Sequence, residues 1–196
     1  MNGGLSLYQD DNSTPLTLDE IKGLIPTHVT MRSELNELEQ KNILQADSWV
    51  FKRKRTILDE DFLRRLHKRM FGDVWNWAGV YRSTPRNLGV EPWHVQIEMR
   101  KSIDDAIFWI DNKTYDPDEI AVRFHHRLVV VHPFPNGNGR WSRLAADILV
   151  TSLSRQRFSW GGGSLQKTGD IRKRYIDALR AADMHDLSLL IAFARS

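Results

Sequence analysis

His132-Pro133-Phe134-Pro135-Asn136-Gly137-Asn138-Gly139-Arg140-Trp141-Ser142-Arg143 is the stretch whose reading decides this chain. Before it, Ile120, Phe124, Leu128 and Val131 recur at helical spacing and deliver His132 to the end of a helix. After it, the apolar run Leu144-Ala145-Ala146-Asp147-Ile148-Leu149-Val150 reads as a second helix. Between the two, Gly137 and Gly139 alternate with Asn138, and these residue types tolerate positive φ. Such a loop can turn successive backbone N–H groups toward one point and form a concave anion site. The N–H groups and positive dipole end of the second helix face the same point. Arg140 and Arg143, three residues apart, add permanent charge and forked donors on one side of its first turns. His132 supplies a group that exchanges a proton near neutral pH. Pro133 and Pro135 stiffen the link, and Phe134 plugs it into the core. Asn136 offers an oxygen to a hard cation such as Mg²⁺.

The rest of the chain bounds the reading. The 196 residues, 41% hydrophobic and 27% charged, fit one globular domain with short extensions. With no cysteine, disulfides and thiolate chemistry are excluded. No apolar run is long enough for a membrane span, and Met1 to Ser13 carries no signal-peptide core. A cytoplasmic protein is expected. The net charge of +3 is modest, and the basic run Lys52-Arg53-Lys54-Arg55 reads as a solvated face rather than a nucleic-acid site.

Helices dominate the expected fold. Thr17-Leu18-Asp19-Glu20 is a capping box that opens a short helix after a loose N-terminal arm. Leu35, Leu38, Ile43, Ala46 and Val50 mark an amphipathic helix to Phe51. Thr56-Ile57-Leu58-Asp59 reads as a second box, before a stripe of Leu58, Phe62, Leu66 and Met70 that stops at Gly72. Further helices are expected over about 94–111, from Asp116-Pro117 onward, over 171–182 and over 187–193. The punctuated stretch from Trp75 to Pro92 differs: Val80-Tyr81-Arg82 and Leu88-Gly89-Val90 can pair as a short hairpin. His125 and His126 are neighbours that face apart, so a metal site there is not expected. Trp75, Trp77, Trp93 and Trp109 read as core and flap anchors.

The loop resembles the signature of the Fic family, H-x-F-x-[DE]-G-N-G-R-x-x-R, at His132, Phe134, Gly137, Asn138, Gly139, Arg140 and Arg143. Its variant form, with Asn136 where the family has an acidic residue, is similar to a subgroup called mobile mystery protein B. The resemblance implies an all-α-dominated Fic fold, a helical bundle with a β-hairpin flap beside the active site. The segment 1–29 would be an arm with a short helix, 30–51 an inhibitory helix and 52–196 the Fic domain. The implied activity is protein adenylylation, transfer of AMP from ATP to a Ser, Thr or Tyr hydroxyl of a target protein. His132 would be the general base. Asn138 and the amides of Gly137 and Gly139 would hold phosphates, with Arg140 near the β-phosphate and Arg143 near the γ-phosphate. The target's main chain would dock at the flap, around Arg82, Leu88, Gly89 and Val90. Trp160 and Tyr175 would border the adenine. Mg²⁺ would accompany ATP, bound more weakly at Asn136 than at a carboxylate.

Family members carry an inhibitory pattern, [ST]-x-x-x-E-[GN], whose Glu pairs with the second arginine of the loop. Thr30 and Glu34 match its spacing, with Leu35 in place of Gly or Asn and Asn36 one step later. Ser33 and Glu37 form a poorer match. Two alternatives stand beside adenylylation: transfer of another nucleotide or phosphoryl group, and a nucleotide-binding module that works with an antitoxin-like partner or as a homo-oligomer.

Overall fold

The structure is a computed structural model and describes residues 16–53, 55–163, 165 and 169–196. Residues 1–15 of the expected N-terminal arm (1–16), and Lys54 of the basic run, lie outside the described residues. Among the described residues, eight α-helices follow in order: α1 Leu18–Ile21, α2 Arg32–Phe51, α3 Glu60–Phe71, α4 Val95–Asp111, α5 Pro117–Val131, α6 Asn138–Ser152, α7 Asp170–Asp183 and α8 Ser188–Arg195. Short 3₁₀ turns sit at Pro92–His94 and Trp160–Gly162.

The central unit is the antiparallel pair of α5 and α6, joined by the loop from His132 to Gly137. α6 is buried through the whole run Leu144–Val150, so it is the helix around which the others gather. α4 packs on α5. α2 pairs with α3, and both reach α6. The α7–α8 pair closes on α5 through α8. One polar residue, Asp147, sits inside this buried run. Its carboxylate accepts from Arg157 Nε at 2.8 Å and Trp160 Nε1 at 2.9 Å, which offsets part of the cost of burying it.

Local signals set the helix ends. Thr17 and Glu20 form the reciprocal box, with Thr17 N–H on Glu20 Oε2 at 2.8 Å and Glu20 N–H on Thr17 Oγ1 at 3.3 Å. The start of α3 corrects the expected second box: Asp59, not Thr56, is the cap, accepting from Phe62 N–H at 2.7 Å. Gly72 ends that helix as expected. Asp116 and Pro117 open α5, with the proline at a position that has no N–H bond to lose. Trp75 is buried and Trp77 partly buried, but Trp93 is 69% exposed and anchors nothing in the core.

The hairpin is the main correction. The described residues hold no strand, and their one isolated bridge joins Leu24 to Trp75. The backbone N–H groups of Arg82 and Val90, one in each half of the 80–90 segment, bond to residues 133 and 131 instead of across a ladder. Arg82 N–H donates to Pro133 O at 2.9 Å, and Val90 N–H to Val131 O at 3.4 Å. The Arg82 guanidinium then takes the carbonyls: Nε donates to His132 O at 2.6 Å, Nη1 to Thr84 O at 3.0 Å and Nη2 to Val90 O. A ladder needs those backbone groups, and a buried arginine occupies them.

Candidate active site

The loop is built from its ends inward. His132 caps α5 in the left-handed conformation, φ 51° and ψ 60°, with its N–H on Leu128 O at 3.1 Å. Gly137 precedes α6 at φ 81°, and a Cβ there would lie 2.6 Å from the Phe71 ring, so only glycine fits. Asn138 staples the two ends together. Its Oδ1 accepts from Phe134 N–H at 2.9 Å and its Nδ2 donates to Phe134 O at 2.8 Å. Phe134 is fully buried, edge-on to Trp141 at 4.9 Å between ring centroids. Burying such a ring contributes about 1.5–3 kcal/mol, enough to fix the loop's register. Both ends of the Asn138 side chain are thus engaged inside the loop, and its backbone N–H is what remains at the helix start.

His67 completes the frame, and sequence reasoning missed it. It lies on α3, fully buried, with its ring stacked on Phe134 at 3.7 Å. Its Nδ1 accepts from Gly79 N–H at 3.0 Å, so the proton sits on Nε2, which donates to Asn136 O at 3.0 Å. Burial, with the positive charge of Arg140 in support, pushes its pKa down to about 3. His67 is a neutral strut between α3, the 79 turn and the motif loop. The signal was legible: the buried stripe Leu63, Leu66, Met70 and Phe71 includes position 67.

The N-terminus of α6 has no side-chain cap, so the N–H groups of its first turn stay available to an anion. Arg143 folds back toward that turn: a Cβ on Gly139 would lie 3.6 Å from Arg143 Nη1. Its guanidinium stands over the Tyr175 ring, 5.3 Å from the centroid. Tyr175 and Trp160, expected at an adenine pocket, are both buried. The Tyr175 hydroxyl meets His125 Nε2 at 3.0 Å, and Trp160 holds Asp147, so their polar atoms are used within the protein. His125 is fully buried, and burial first, then Arg143, pushes its pKa down to about 3.

His132 is held neutral in the same way. Burial, then the charges of Arg82 and Arg86, push its pKa down to about 4. Gly89, at φ +95°, lies so close that a Cβ would sit 2.6 Å from His132 Cβ. Leu88 and Gly89 are exposed and Val90 partly so, whereas Arg82 is 3% exposed. Of the four expected docking residues, the structure withdraws Arg82, which clips the segment to the loop. From the outside, Glu20 holds this segment by an ion pair to Arg86 and by accepting from Thr84 Oγ1 at 3.1 Å.

The carboxylate that meets the motif is not the expected one. Glu34 accepts from Thr30 N–H at 3.0 Å and Met31 N–H at 3.1 Å, which hold its carboxyl below the usual range. It caps its own helix and is not brought to Arg143. Glu37 is exposed. Glu39, one helical turn beyond Leu35 in the stripe, reaches Arg140 instead, Oε2 to Nη1 at 2.6 Å.

The residues present do not fit a protein-built Mg²⁺ site. Asn136 Oδ1 is a neutral oxygen already accepting from Gly137 N–H at 2.6 Å. The described residues contain no group of three His, Cys, Asp or Glu side chains able to hold a metal ion. A cation seated there would depend on water and substrate phosphates for its shell.

The sequence model of the Fic/DOC family matches residues 57–150, which includes the loop and both of its helices. Protein adenylyltransferase fic-1 of Caenorhabditis elegans is 33% identical over 141 residues, 68% of this chain and 26% of that protein. A probable protein adenylyltransferase of Sinorhizobium fredii, y4lH, is 28% identical over 86% of this chain and 91% of its own length. The chain thus spans about a quarter of the length of the first relative and nearly all of the second. Among solved structures, the BepC protein of Bartonella tribocorum with bound AMPPNP superposes with a TM-score of 0.70, covering 91% of this chain and 97% of that one at 15% identity. A Fic domain from Bartonella quintana with bound ADP gives 0.68, covering 86% of each chain at 16% identity. These two show the shared fold.

Proposed function

This chain belongs to the Fic/DOC family, and from that premise we propose that it is a protein adenylyltransferase, moving AMP from ATP to a Ser, Thr or Tyr hydroxyl of a target protein. One observation carries the reading. A single stapled loop joins a neutral histidine at the end of α5 to an uncapped, arginine-flanked start of α6. A base that is already unprotonated and an anion site with permanent charge are the two parts that attack on a phosphorus requires.

In this reading the triphosphate lies against the first turn of α6. The N–H groups of Asn138 and Gly139 and the guanidinium groups of Arg140 and Arg143 face its oxygens. The target hydroxyl gives its proton to the unprotonated ring nitrogen of His132, which is neutral because burial pushes its pKa down to about 4. Its oxygen bonds to the α-phosphorus, and the bond from that phosphorus to the bridging oxygen breaks. Pyrophosphate leaves with charge that the two arginines and the helix start stabilise. The target's main chain lies along Leu88–Val90. Gly89 packs on His132, so a segment added there sets its hydroxyl beside the base. The relatives' names as adenylyltransferases support the donor and the acceptor class.

Mg²⁺ enters with the nucleotide rather than through a site of this chain. A cytoplasmic location belongs to the same proposal; among the described residues no helix is long and apolar enough to cross a membrane. His132→Ala is the test. It should abolish transfer of label from ATP to protein while ATP affinity stays within about twofold, because the base acts in the transition state. Residual transfer at a comparable rate would reject His132 as the base.

A further inference from the structure

We propose that Glu39 is the positioning residue for Arg140, which makes α2 part of the nucleotide site. The inference rests on the reading that Arg140 meets a phosphate of ATP.

Glu39 lies on α2, outside the segment that matches the family, and its side chain is 5% exposed. Its two oxygens are divided. Oε2 takes Arg140 Nη1 at 2.6 Å, and Oε1 takes Trp75 Nε1 at 2.7 Å. Trp75 is itself buried and stacked on Trp77, 5.0 Å between centroids, so the carboxylate cannot turn. The Phe71 ring, 4.8 Å from the guanidinium carbon, supports the arginine's face. Arg140 is thereby held on two sides, by a charge and by a ring.

An arginine on a free stem loses the freedom of several bonds when it grips an anion. Held in advance, it loses that freedom on folding instead. Glu39 engages one terminal nitrogen and leaves the Nε and Nη2 donors of the fork outside the contact. The pairing also differs from that of an exposed carboxylate that can step aside. Arg140 leaving for the nucleotide would strip its charge from a buried carboxylate, which is costly. The ion pair therefore persists when a phosphate arrives, and Glu39 orients the arginine rather than competing for it.

The test is a cycle in the full chain: Glu39→Ala, Glu39→Gln, Arg140→Ala and Glu39→Ala/Arg140→Ala, titrated calorimetrically with ATP and with AMP. Glu39→Ala should weaken ATP by roughly tenfold and leave AMP unchanged, since a misplaced arginine costs only the phosphates beyond the first. Glu39→Gln keeps one acceptor oxygen, for Arg140 or for Trp75, loses the charge and should fall between. In the Arg140→Ala background the Glu39 change should have no further effect. Where Glu39→Ala does not fold, the Gln variant carries the cycle. Equal loss for AMP and ATP, or an undiminished effect without Arg140, overturns the proposal. So does tighter ATP binding or faster transfer in Glu39→Ala, which would make Glu39 a brake. A wild type that binds no adenine nucleotide defeats the reading of the site and this inference together. A wild type that binds ATP, with Glu39→Ala unchanged from it, defeats the inference alone.

Discussion

His67→Gln should change how stability depends on pH, by an amount set by the burial of one imidazole. In the folded chain His67 is neutral, its pKa pushed down to about 3. In the unfolded chain it titrates near about 6.5. Below that value the unfolded state binds a proton that the folded state refuses. The stability from keeping it neutral is present above the unfolded pKa and is lost as pH falls toward the folded one. At about pH 5 the loss is about 2 kcal/mol for this residue, 1.5 pH units at about 1.36 kcal/mol each. His125, with its pKa pushed down to about 3, loses a similar amount. Together they remove about 4 kcal/mol, a large part of the roughly 5–15 kcal/mol that holds a domain. Asp147, whose carboxyl burial raises, acts in the opposite sense and is common to wild type and variant. Glutamine can still donate to Asn136 O, but it leaves Gly79 N–H unpaired and loses the stack on Phe134. At about pH 7 the variant should be less stable by at least about 1–3 kcal/mol, the cost of a buried unpaired donor. At about pH 5 the gap should narrow by about 2 kcal/mol, because glutamine takes up no proton. Urea unfolding of both proteins at the two pH values measures the gap. A gap that stays constant would mean that His67 is not the neutral, buried strut described above.

Other expectations follow from the same geometry. Gly137→Ala meets both a positive φ and the Phe71 ring, so it should destabilise by about 2–5 kcal/mol in thermal or urea unfolding. Wild-type stability in that variant would contradict the packing under the loop. Tyr175→Phe orphans His125 Nε2 and should cost about 1–3 kcal/mol. If denaturation shows no loss, the buried pair is absent in solution. Glu34→Ala removes a helix-start acceptor. It should lower stability by about 0.5–2 kcal/mol while leaving the transfer rate unchanged, and a marked gain in label transfer would show that it reaches the motif after all. With the His132 pKa pushed down to about 4, the base form persists as pH falls. Between about pH 7.5 and 5.5, kcat/KM should stay within about twofold, where an ordinary imidazole would lose about tenfold.

The sequence made the helices and the loop legible for definite reasons. The Thr17–Glu20 box, Asp116-Pro117 and Gly72 are local signals, and local signals act without tertiary help. The motif loop was readable because Gly137, Asn138 and the arginines have few other uses together. What escaped depends on contacts distant in sequence. Glu39 and His67 lie on apolar stripes, where a polar residue signals a buried partner but does not say which one. Glu34 matched a family spacing, yet the N–H groups of Thr30 and Met31 are nearer to it than any arginine of the loop. The hairpin between Val80 and Val90 failed for a related reason. Its carbonyls go to the Arg82 guanidinium and its amides to residues 131 and 133, a choice that no local alternation reveals.

In the proposed function the group moved is AMP, drawn from ATP by the loop between α5 and α6. Two parallel incubations with a cell extract, one with ATP labelled on its α-phosphate and one with the label on the γ-phosphate, test it most directly. Protein-bound label is expected from the α-position and none from the γ-position, with the first signal lost in His132→Ala. Label arriving from the γ-phosphate, or α-label that survives in His132→Ala, would contradict it.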